Sequence, residues 1–173
     1  NHPNKSAILW TLGCAVMAFF GAGVWGLMHN MSFVNYYSHG TQITAAHGHL
    51  AFYGAYVMLN LAIFSYALPQ LRGKQPYNQI LNMWSFWLMT GGMAFMTFTL
   101  TFAGVIQTHM QRVVGERYMD VQDDLGLFFA MRLGAGVLVT IAVLIYIYAM
   151  LGPAREEVPS GAPHLAAGDK DNK

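Results

Sequence analysis

The stretch TQITAAHGHLAFYGAY, residues 41–56, decides how this chain is read. Between residues 6 and 71 there is no Asp, Glu, Lys or Arg, yet His47 and His49 stand there with Gly48 between them. An ionisable side chain at membrane depth is costly and marks a functional site. On a helix each residue turns the chain by about 100°, so positions two apart point about 200° from each other. One metal ion held by two histidines of a helix needs them three or four apart. His47 and His49 therefore suit two different cofactors, one on either side of a single helix.

Composition points to a bilayer as the solvent around that helix. Of 173 residues, 55% are hydrophobic, 14% aromatic and only 10% charged. An average soluble domain is roughly 25% charged. The net charge of +1 carries no nucleic-acid signal. The single cysteine, Cys14, cannot form an internal disulfide and reads as a small apolar residue. The start, Asn1-His2-Pro3-Asn4-Lys5, reads as a loop entered from something upstream, so the chain is expected to be the C-terminal part of a longer membrane subunit.

Four segments reach the roughly 20 residues that a hydrocarbon core requires. They lie near residues 7–28, 42–68, 79–109 and 125–151, which gives an all-α integral membrane fold of four transmembrane helices over residues 1–152. Pro69 and Gly73 are expected to close the second span, and Gly152-Pro153 the fourth. Trp84 and Trp87 suit an interface. Residues 153–173 mix Pro, Gly, Ala and charge and read as a disordered cytoplasmic tail. Lys5, Arg72 and Lys74 place the N-terminal end and the second connection in the cytoplasm, whereas residues 30–41 lack Lys and Arg and belong outside. His47 and His49 then lie about two turns deep in the outer half of the bilayer.

Two plainer roles compete with cofactor binding for these histidines: hydrogen bonding to neighbouring helices, and a proton or substrate relay in a transporter. The first three spans hold no Asp or Glu to complete a charged relay. Gly48 removes a side chain between the two imidazoles, and Ala45, Ala46, Ala51, Gly54 and Ala55 clear more space, although simple helix packing also uses small residues. His39, in the outer connection, is either a solvated loop histidine or a donor to an anionic group at the edge of the site. His2, His29, His109 and His164 fall at span ends or in loops and are not read as ligands. Arg132, a charge within the fourth span, is read as snorkelling outward or pairing with Asp123 or Asp124, with a propionate or buried acid as the lesser reading.

His39, seven residues, then His47-x-His49 resembles the tenth helix of haem-copper oxidase large subunits. The fuller string over residues 41–56 resembles the nitric oxide reductase branch, and most of all its cytochrome c-dependent members. The four spans would then correspond to the last four of the family's twelve helices. The resemblance implies that His47 is the axial ligand of a high-spin b-type haem, and so the catalytic residue of this chain. It implies that His49 is an axial ligand of a low-spin b-type haem and that His39 lies near the haem propionates. It also implies a non-haem iron held by helices absent from this chain. The implied partners are the remaining N-terminal helices of the subunit, a membrane-anchored cytochrome c subunit and the lipid bilayer. The implied place is the bacterial cytoplasmic (inner) membrane, and the implied reaction is reduction of 2 NO to N2O and water. Alternatives are an oxygen-reducing haem-copper oxidase, a quinol-dependent NO reductase, a non-enzymatic two-haem membrane cytochrome and a haem-free transporter.

Overall fold

In lipid, apolar runs of this length satisfy their backbone groups internally only as helices or closed barrels. A computed structural model describes residues 4–72 and 78–152, and these are helical nearly throughout. Helix α1 spans Lys5–Asn30, a short α2 follows at Ser32–Ser38, and α3 spans Gln42–Leu71. Helix α4 spans Gln79–Val114, α5 is Tyr118–Asp124, and α6 spans Gly126–Leu151. The four long helices are apolar enough to cross a membrane. His2, Gly73, Lys74, His164 and the tail from Pro153 to Lys173 lie outside the described residues.

Helix α4 is the hub: it packs against α6 and α3, and α1 packs on α3 and more lightly on α4. A methionine stripe, Met89, Met93 and Met96, is buried along its inward face. Trp84 and Trp87 point away from the other helices, 60% and 59% exposed, as residues turned to lipid would be.

The second span does not stop before Pro69; the helix runs through it to Leu71. Proline lacks the N–H that would bond the carbonyl four residues back. That carbonyl belongs to Ser65, and the Asn4 side-chain amide donates to it at 2.7 Å. A freed backbone group re-satisfied by a neighbouring helix is how membrane helices tolerate proline. The third helix also outruns the sequence reading, through a π-helical turn at Met110–Val114. It ends at Gly115, whose φ of 86° suits a residue without Cβ. The outer connection, read as a loop, contains α2.

The Lys5 end of the bundle is held by an uncharged network that sequence alone does not reveal. Trp10 Nε1 donates to Asn82 Oδ1 at 2.7 Å, and the Asn82 amide donates to Ser65 Oγ at 3.1 Å. Ser65 Oγ also lies 3.0 Å from the Tyr146 hydroxyl, so all four long helices meet here. Asn82→Leu leaves the indole N–H and the serine hydroxyl short of a partner. A loss of about 1–3 kcal/mol is expected, read as a lower thermal midpoint of the detergent-solubilised protein. An unchanged midpoint would show that the network is dispensable.

Candidate functional site

The depth and rotation of α3 are set at its first turn. Thr41 caps it, accepting from the Ile43 N–H at 3.3 Å while donating to the Ser38 carbonyl at 2.7 Å. The Gln42 N–H donates to Gln107 Oε1 on α4 at 2.8 Å. Thr44 Oγ1 adds a second donor to the Ser38 carbonyl, at 2.9 Å. Anchored so to α2 and α4, α3 has little freedom to rotate, and the directions of His47 and His49 follow.

His47 turns towards α1. Its Nδ1 lies 3.0 Å from the Gly21 carbonyl oxygen, and its ring stacks on His29 with centroids 4.7 Å apart and planes 20° apart. His49 turns the other way. Its Nδ1 lies 2.7 Å from the Ala45 carbonyl oxygen of the preceding turn. Its ring lines a cavity of about 660 Å³ walled by Met96 of α4 and by Phe129, Arg132, Gly136 and Thr140 of α6. Side-chain directions two residues apart on one helix thus serve two separate surroundings.

Both hydrogen bonds also fix a tautomer. A carbonyl oxygen only accepts, so in each ring Nδ1 carries the proton, and in the neutral imidazole Nε2 keeps the lone pair. Histidines that ligate metals almost always donate their other ring N–H in this way, often to a backbone carbonyl. The donor set therefore fits an imidazole that would hold a metal on either side of α3. The size of the His49 cavity falls within the range of about 300–1,000 Å³ usual for cofactor sites. Among the described residues no group of three or more His, Cys, Asp or Glu is placed to hold a metal ion by itself.

The other candidates fall out differently. His39 follows the last residue of α2 and is exposed, its backbone N–H donating to the Asn35 carbonyl at 2.9 Å. It does not meet His47 or His49 directly. Arg132 does not pair with Asp123 or Asp124; the ion pair among the described residues is Arg117 with Asp120, at 2.9 Å on the surface. Arg132 instead shares the His49 cavity. The two aspartates sit in α5, before the helix that carries Arg132, and their side chains do not reach back to it.

His29 is the residue that sequence reading passes over. It sits one residue before the end of α1, which looks like a span terminus rather than a site. Antiparallel neighbours joined by a short connection bring the last turn of one helix level with the second turn of the next, and that signal is present in the span boundaries.

Comparison with known proteins places the chain in a family. The family model described as "Cytochrome C and Quinol oxidase polypeptide I" matches residues 1–138, a stretch that contains His29, His39, His47, His49 and Arg132. The chain is also similar to a nitric oxide reductase subunit of Stutzerimonas stutzeri, 47% identical over an alignment that covers 95% of this chain. It spans 36% of the length of that relative. The two opposed imidazoles on one apolar helix, the four spans and the match over most of the chain lead to one conclusion: this is a multi-pass membrane member of the cytochrome c and quinol oxidase polypeptide I family.

Proposed function

We propose that this chain is the haem-ligating part of a nitric oxide reductase catalytic subunit, which takes two NO, two electrons and two protons to N2O and water. The observation that carries the reading is the pair of tautomer-fixed imidazoles facing opposite sides of α3. The likeness to a nitric oxide reductase subunit adds to it. His47 Nε2 would hold a high-spin b-type haem and His49 Nε2 a low-spin one. When bound, these haems supply the redox chemistry and, with a non-haem iron held by helices outside this chain, the place where NO reacts. The chain's own work is to orient the two imidazoles, to keep their Nδ1 protons on backbone carbonyls and to wall the sites with apolar side chains.

Arg132, beside His49, is the cation able to pair a porphyrin carboxylate on that side of α3. His39, exposed near the start of α3, could meet a carboxylate only at the rim. Lys5 and Arg72 lie at the end of the bundle away from the histidines, which supports a cytoplasmic placement for that end. Electrons would then enter from the outer side, from a membrane-anchored cytochrome c subunit, in a bacterial inner membrane.

The test is the absorption spectrum of the complete subunit purified from membranes. One low-spin and one ligand-sensitive high-spin b-type haem is the expected result. Two low-spin haems would make it an electron carrier, and no Soret band would remove haem altogether. Arg132→Leu should move the low-spin midpoint potential to more negative values, because losing a nearby positive charge favours ferric over ferrous iron. An unchanged potential would place the porphyrin carboxylates elsewhere.

A further inference from the structure

The Gly21 and Trp25 carbonyls of α1 each hold an imidazole. His47 Nδ1 donates to the first, reaching across from α3, and His29 Nδ1 donates to the second, from its own helix, both at 3.0 Å. Gly21 and Trp25 belong to the π-helical stretch Phe19–Trp25, and π turns of this kind are frequent at functional sites. Carbonyls about one turn apart on a helix lie nearly above one another along its axis. Rings hung from two such carbonyls come to lie one above the other, and His29 and His47 do so at 4.7 Å.

A single hydrogen bond to Gly21 fixes one edge of the His47 ring but leaves the ring free to tilt about that bond. The flat face of His29 removes this freedom. His29 is itself secured through Trp25, and its Nε2 is buried without a hydrogen-bond partner among the described residues. What His29 presents to His47 is therefore its ring face rather than a hydrogen-bonding atom.

We propose that His29 is a positioning residue: its ring, stacked on His47, sets the plane of the imidazole that ligates the high-spin haem. The proposal rests on the reading of His47 as that ligand. It makes the aromatic ring, not the nitrogen, the feature that matters. His29→Phe keeps a flat face and loses only the bond to Trp25, whereas His29→Gln keeps polarity and loses the face.

The experiment uses the complete subunit, purified with its haems, and follows transfer of haem to an excess of apo-globin together with the resonance Raman iron–imidazole stretch. Residues that orient a metal ligand are typically worth about 10–100-fold in metal affinity. His29→Gln is expected to release the high-spin haem about 10-fold faster than the parent and to broaden the iron–imidazole band. His29→Phe should behave as the parent, and the low-spin haem should be unmoved in both. A ringless apolar variant, His29→Leu, reports the same loss should His29→Gln assemble poorly. Parental release from the ringless variants would overturn the proposal, and so would equal acceleration in His29→Phe and His29→Gln. A different result, a parent that lacks a high-spin haem or a His47→Ala variant that retains it, would overturn the ligand assignment itself.

Discussion

His47→Ala should strip the high-spin haem from the assembled subunit and leave the low-spin spectrum in place, while His49→Ala should do the reverse. NO reduction should be lost in both. The two losses separate because the imidazoles share a helix and nothing else: one is tied to Gly21 of α1, the other to Ala45 of its own helix, in a cavity walled by α4 and α6. Neither truncation should unfold the protein. Each change frees one backbone carbonyl that already lies within a helix, at a cost of at most about 1–3 kcal/mol where it stays buried and unpaired. Haem content by pyridine haemochrome and the split between high-spin and low-spin signals check both variants. Loss of the same single haem from both would refute separate ligation.

Much of this is legible in the residues because lipid makes the rules strict. An apolar run of sufficient length must be a helix, and on a helix a spacing of two sets His47 and His49 on opposite sides before any coordinate is known. What stays hidden depends on partners far away in sequence. Pro69 looks like a terminator unless Asn4, 61 residues from Ser65, is known to take the orphaned carbonyl. The Asn82 network joins residues up to 81 positions apart, and no local pattern announces it. The carboxylates nearest Arg132 in sequence look like its partners, but a helical side chain reaches mainly its own turn and the neighbouring helix, and there it meets the His49 cavity. His29 escapes notice for a related reason: its role arises from a π-helical turn at Phe19–Trp25, which no residue spacing in that apolar stretch foretells.

The second large effect concerns two glycines of α3 that look alike in sequence and differ in surroundings. Gly54 lies against α1, where a Cβ would stand 2.5 Å from the Ala18 nitrogen and the Met17 carbonyl carbon. Gly21 of α1 returns the contact, its Cβ position 2.7 Å from the Leu50 carbonyl carbon. Each helix thus sets a glycine against the other's backbone, and this crossing brings the Gly21 carbonyl within reach of His47. Backbone atoms cannot step aside as a flexible side chain can. Gly54→Leu is therefore expected to part α1 from α3, at a cost of about 3 kcal/mol or more, and to yield protein that fails to assemble. Gly48 has no atom of a neighbouring element within 4 Å of its Cβ position. Gly48→Leu should leave the helices packed and the protein monodisperse in detergent, yet lower the content of both haems, since its side chain would enter the space between His47 and His49, the proposed ligands. Size-exclusion profiles and haem-to-protein ratios of the two variants separate these outcomes. A fully haem-loaded, active Gly48→Leu protein would show that close approach of two macrocycles to this backbone is not required, and a well-assembled Gly54→Leu protein would show that the α1–α3 crossing is not what holds His47 to Gly21.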